Sequence, residues 1–358
     1  MKTANIYDWF LLVIVFVSIP VFEGCSKSCV EIGHSNDPLL DLISTTFSQE
    51  RTVTINQADL LRLVDKKDRG LWETCFAGDL KGVKAFESDH GEFGRKMAAG
   101  SLSLLHIAVI TGDTIFVSYL VSRGCDIQAK TADGMSVLHA AVAGGNLANI
   151  AFLIEKGVDV NTMAEAGTTP LYEACKNGRI DIAKLLVEKG ADVNLASKEG
   201  YAPILQACRN GNLDMLRLLM KYGADINAGN LTLSIGVGTE NLEVVDFLIE
   251  NGCNVNQTDE SGGIPLGLAA GLGNTKIVRR LLVAGADIDR KGFSDHTALH
   301  EAVLWGKLET IQCLLDAGAR ITPEIIQAAP DDEIRSMLKM NKSEGVSGAV
   351  RVINPEAD

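Results

Sequence analysis

Apolar residues recur along most of this chain at helical spacing, in short runs that glycine cuts off. From Ser136, the order Val-Leu-His-Ala-Ala-Val-Ala-Gly-Gly145 predicts a brief helix that begins on a serine cap and stops at glycine. Asn146 to Gly157 predicts a second, with Leu147, Ile150, Leu153 and Ile154 on one face. Gly157-Val-Asp-Val-Asn161 then leaves the helix and turns away. One such hairpin is too small to bury its own apolar face, so neighbouring hairpins must bury it jointly.

The same unit returns down the chain. Glycines that open a Gly-Ala-Asp-Val-Asn string or its variants stand at 124, 157, 190, 223, 252, 285 and 318, separated by 33 residues at every step but one of 29. A second glycine stands twelve residues before most of them, at Gly112, Gly145, Gly178, Gly211, Gly273 and Gly306; Glu240 breaks that row. The 29-residue unit is short at Ala228-Gly-Asn-Leu231. It reads either as a tolerated loop deletion or as a notch halfway along a binding edge.

Five units also open on a related tetrad: Ser103-Leu-Leu-His106, Ser136-Val-Leu-His139, Thr169-Pro-Leu-Tyr172, Ala202-Pro-Ile-Leu205 and Thr297-Ala-Leu-His300. These strings resemble the ankyrin repeat. The resemblance implies an all-α repeat fold, an ankyrin solenoid of about eight stacked helix-turn-helix units with β-turn fingers, over residues 69–340. Leu71 to Asp79 is similar to an amino-terminal cap, and Ile321 to Met340 to a closing one. It further implies that His106, His139 and His300 are hydrogen-bonding residues of the scaffold.

The first residues carry a different pattern. After Lys2, the run from Trp9 to Phe22 is apolar but short of the ~20 residues that a membrane span requires. It predicts a secretory signal over residues 1–24. Phe22-Glu-Gly-Cys25 resembles a bacterial lipoprotein box, with Cys25 as the lipidated residue, although Phe22 and Glu23 fit it poorly. The alternative is an ordinary cleavage after Ser26. Residues 25–68 read as a tether with short helices, and 341–358 as a disordered Gly/Ser/charge-rich tail.

Composition narrows the function. The formal charge is −13, which argues against nucleic acid, since binding its backbone needs clustered Lys and Arg. Cys75, Cys175 and Cys208 fall where other units place Val or Ala, Cys125 and Cys253 take the alanine slot of the Gly-Ala-Asp string, and Cys313 is expected to face inward. All six read as core residues rather than disulfide partners. Gly236-Val-Gly238 and Gly267-Leu-Ala-Ala-Gly271-Leu-Gly273 follow no strand and lack the Gly-Lys-Ser/Thr of a phosphate loop. No histidine has ligand spacing for a metal. We expect no enzyme activity, no cofactor and no metal.

Repeats of this family generally bind proteins through finger tips and the exposed ends of the first helices. Here those positions include Met135 and Glu260, and the residues that best suit an interface are Lys176, Tyr201, Arg209, Leu272, Phe293, Leu304 and Trp305. The competing expectation is that the four apolar ones fold over and finish the core. The resemblance and the signal together point to an exported monomer, periplasmic and anchored at Cys25 if lipidated. It would bind a protein with a basic surface, such as a secreted effector of the phospholipase kind that it neutralises as an immunity protein. The alternatives are a structural or stress-related periplasmic scaffold, and an adaptor or host-directed effector.

Overall fold

A computed structural model describes residues 69–90, 98–99, 102–259 and 262–343. The expected signal, the Cys25 lipidation site, the tether to residue 68, Glu260 and the tail from 344 onward lie outside the described residues.

The described residues fall into two compact units, one reaching to Ala174 with Asp181–Asp192, the other comprising Cys175–Ile180 and everything from Val193. In the first unit, α1 (Arg69–Phe76) and α2 (Leu80–His90) form the opening pair. A two-residue antiparallel ladder, Ala98–Ala99 with Leu102–Ser103, leads into α3 (Leu104–Thr111) and α4 (Thr114–Ser122). Then come α5 (Val137–Gly144) with α6 (Leu147–Glu155), and α7 (Pro170–Lys176) with α8 (Ile180–Glu188), a pair that the unit boundary divides.

The second unit continues with α9 (Pro203–Arg209) and α10 (Leu213–Lys221), then α11 (Thr232–Gly238) and α12 (Leu242–Glu250). It goes on with α13 (Pro265–Leu272) and α14 (Thr275–Val283), then α15 (Ala298–Leu304) and α16 (Leu308–Asp316). The closing residues form a complete hairpin, α17 (Pro323–Gln327) and α18 (Asp332–Ser343). The described residues thus hold nine helix pairs where the repeats alone predict about eight.

The repeated letters acquire physical reasons. At the start of α5, Ser136 Oγ accepts from the His139 backbone N–H, and the Ser136 N–H donates to His139 Nδ1. His139 Nε2 then lies 3.0 Å from the Thr168 carbonyl of the next finger. A carbonyl only accepts, so Nε2 carries the proton and the ring is neutral. His106 does the same with Ser103 and the carbonyl of Met135. The last residue of the Gly-Ala-Asp-Val-Asn string ties units together: Asn161 donates to Gly190 O and accepts from Asp192 N. Asn194 and Asn256 repeat this with Gly223 and Asp225, and with Gly285 and Asp287.

Glu240 shows what the glycine row is for. Gly145, Gly178, Gly211, Gly273 and Gly306 have φ between 63° and 83°, and Glu240 is forced to 56° in the same place. A side chain there costs about 1 kcal/mol or more against glycine. Glu240→Gly is therefore expected to stabilise the second unit by about 1 kcal/mol, read as a higher urea midpoint at unchanged slope. Gly112 departs from the row with φ −99°.

Two pairs of positions carry polar groups where the other repeats are apolar. Thr114 Oγ1 donates to Asn149 Oδ1 at 2.9 Å, and the hydroxyls of Thr275 and Thr310 meet at 3.0 Å. Asn149 and Thr310 are both fully buried. The corresponding pairs elsewhere are hydrophobic, as in Leu147 with Ile182 and Leu242 with Ile277.

Candidate functional site

The fingers are tight hairpin turns. In five of them the first backbone N–H reaches across: Thr131 to Met135 O, Ala164 to Thr168 O, Ser197 to Tyr201 O, Asp259 to Gly263 O, and Gly292 to His296 O. Met135, expected at a finger tip, is instead buried, because its turn folds back over His106. The finger that would follow the one ending at Tyr201 is absent. Ala228–Asn230 make a single 3-10 turn, and α11 starts at Thr232. The deletion removes the projection while keeping the helix pair.

All seven sequence-nominated binding residues belong to the second unit. Lys176 and Arg209 close the first helices of successive repeats, α7 and α9. Asn210 bridges them, its Nδ2 donating to Lys176 O at 2.8 Å and Cys175 O at 3.1 Å. The Arg209 guanidinium sits over the Tyr201 ring, 5.6 Å from its centroid, so the finger residue and the helix-end residue come together. Sequence spacing alone gave no sign of that pairing.

Leu272, Phe293, Leu304 and Trp305 do not finish the core. They are 37%, 62%, 41% and 67% exposed, which overturns the expectation that they fold over a neighbour. Trp305 meets the preceding helix along one edge only, where a Cβ on Gly271 would come within 3.3 Å of its Cδ1 and 3.6 Å of its Nε1. The bare backbone of Gly271 gives the indole its seat, next to Leu272. Leu268, which the repeat reading passed over, is 41% exposed on the same helix. Phe293 stands apart, at the last finger, where Ser294 and Asp295 adopt positive φ. Beside it the His296 ring packs at 3.9 Å on His300, and His296 Nδ1 is 2.9 Å from Glu301. His300 differs here from His106 and His139, for its ring meets another ring instead of a finger carbonyl.

Between these two groups lies a groove of about 550 Å³, lined chiefly by Arg209, Asn210, Ile235, Gly238, Thr239 and Asn241. It exists because Gly238 stands where the preceding repeat has Arg209 and a later one Leu304.

The remaining chemistry is that of a scaffold. Gly236 and Gly238 lie in α11, and Gly267 and Gly271 in α13, so neither glycine cluster is a loop. The six cysteines among the described residues are free thiols. Burial pushes Cys125 up to about 12 and Cys253 to about 11, and raises Cys75, Cys175 and Cys208 further. Cys313, expected to face inward, is only half-buried, since it sits beside the inward pair Leu314 and Leu315 on α16. No group of His, Cys, Asp or Glu among the described residues has the arrangement to hold a metal. No described helix is long and apolar enough to cross a membrane.

The family model for ankyrin repeats (3 copies) matches residues 71–164, 162–230 and 233–325. No curated protein matches the chain. Among solved structures, 541 chains match. The human ASB11 ankyrin repeat domain is 29% identical, with a TM-score of 0.51 over 58% of this chain and 98% of that one. The ankyrin repeat domain of Bcl-3, described as a unique member of the IkappaB protein family, is 27% identical, with a TM-score of 0.53 over 59% of this chain and 96% of that one. The matched family is one of interaction modules and indicates no catalytic centre. The chain belongs to the ankyrin-repeat family, whose repeats bind other proteins.

Proposed function

We propose that this protein is an exported binding module that covers a protein partner with its second unit and thereby masks or inhibits it. The observation that carries the reading is the exposure of Trp305, Leu304, Leu272 and Phe293 at positions that repeats normally leave polar. Large apolar side chains held in water at fixed positions favour burial by a partner, and tryptophan and arginine dominate such interfaces. The net charge of −13 favours a basic partner surface through long-range attraction. The apolar run before Cys25 supports export, with a lipid at Cys25 as the anchor. A secreted effector, of which a phospholipase is one class, is the partner that this address and fold suit, and the protein would then act in immunity.

The test is capture from native envelope with the purified chain as bait. We expect one protein retained in a one-to-one complex, with affinity falling about thirtyfold for Trp305→Ala, the loss of one interface anchor. Equal affinity of Trp305→Ala for the captured protein would reject the proposed surface, and a partner found only in cytosol would reject export.

A further inference from the structure

We propose that the groove beside the short repeat holds a carboxylate side chain of the protein partner, an Asp or Glu that docks on Arg209. This rests on the protein-binding reading above and adds the chemistry of one contact to it. Of the groove's lining residues, Arg209 bears the only formal charge. Most polar side-chain atoms of the other lining residues are already engaged. Asn210 Nδ2 donates to two carbonyls of the preceding repeat. Thr239 Oγ1 donates to Gly236 O at 2.6 Å and accepts from Asn241 N. Asn241 Oδ1 accepts from Glu243 N.

Arg209 is different. Among the described residues it makes no ion pair, and its one contact of note is the face of Tyr201. A guanidinium held over a ring face by cation–π attraction does not spend its N–H donors there, and those donors fit a carboxylate in two parallel bonds. In a chain with 46 acidic residues, an arginine without an acidic neighbour is available for an acid from elsewhere. Arg217 shows the contrast, pairing with Asp214 at 3.2 Å.

The shape agrees with the charge. A Cβ on Gly238 would meet nothing within 4 Å, so the space is open and the helix tolerates a side chain there. Ile235, half-buried, supplies an apolar wall for the methylene stem of a glutamate. The absent finger at Ala228–Asn230 leaves no projection from that repeat. A basic partner face and one acidic anchor are compatible. The overall field acts over a Debye length of about 8 Å in physiological salt, while the anchor acts at contact and sets register.

The probe is a phage-displayed random peptide library selected on the purified chain. We expect selected peptides to share an Asp or Glu, and their affinity to fall about tenfold or more for Arg209→Ala, the loss of a charge-assisted pair. Gly238→Leu should block the groove to a similar degree at an unchanged urea midpoint, and Arg217→Ala should change nothing. Peptides without a shared acid, or binding indifferent to both Arg209→Ala and Gly238→Leu, would overturn the proposal. Binding lost with Trp305→Ala alone would overturn it too, while leaving the protein-binding reading intact. Acid-dependent binding lost with Arg209→Ala but not Trp305→Ala would support the groove and reject the Trp305 surface.

Discussion

Acidification from neutral to about pH 4.5 is expected to remove several kcal/mol of stability from the first unit, through two histidines alone. His106 and His139 are buried, and loss of hydration pushes both rings down to about 4 from the ordinary 6.5. Asp133 opposes the shift for both rings; Lys130 and the His106 ring add to it for His139. Their bonds to the Met135 and Thr168 carbonyls also favour the protonated form and do not outweigh burial.

Between about pH 6.5 and 4 the unfolded chain therefore binds two protons that the folded one refuses. Stability is complete above that window and falls as pH falls through it, by about 1.4 kcal/mol per pH unit for each ring. Across the window each contributes on the order of 3 kcal/mol. Urea titrations at stepped pH, followed by NMR of the histidine ring protons, would measure both quantities. The His106→Gln, His139→Gln variant should be weaker at pH 7 and nearly flat below it. A wild-type ring that titrates near its ordinary value, or a stability curve level through the window, would refute the argument.

The same histidines show what was readable before any coordinates. Their recurrence at one repeat position marks them as scaffold, and the 33-residue period gives the helix pairs, because short-range hydrogen bonding dictates those letters. His300 obeys the pattern in sequence and not in its ring contacts. The next repeat is a cap without a finger, so the ring rests on His296. Met135 fails for a related reason: which side of a turn folds inward is decided by the neighbouring repeat.

The geometry of the proposed surface was legible in part. Helix-end positions name Lys176, Arg209, Leu272, Leu304 and Trp305 correctly as ends of first helices, since they follow from the period. Whether Trp305 lies out or in depends on Gly271 in the repeat before it, and the Arg209–Tyr201 contact depends on two rotamers. The groove needs two separate facts together: a glycine at 238 and an arginine one repeat earlier. The deletion of four residues in the string announces neither of them.

Asn149→Leu is expected to cost about 3–5 kcal/mol, among the largest effects of any single change in the first unit. Its amide nitrogen donates to Val109 O and Gly112 O, both at 3.1 Å, and its oxygen accepts from Thr114. Leucine fills the volume but strands two carbonyls and a hydroxyl. Adding Thr114→Leu should recover only the hydroxyl's share, about 1 kcal/mol, since the carbonyls belong to the main chain.

The Thr275–Thr310 pair makes the contrast, because both partners there are side chains. Thr310→Ile alone should cost about 1–2 kcal/mol, and Thr275→Leu with it should return stability to the wild-type level or above. A double-mutant cycle at each site, by urea unfolding, separates the cases. Full rescue at Asn149 would mean that the carbonyls of Val109 and Gly112 find other donors. In that event the asparagine serves the Thr114 contact only, and the two polar pairs are the same device.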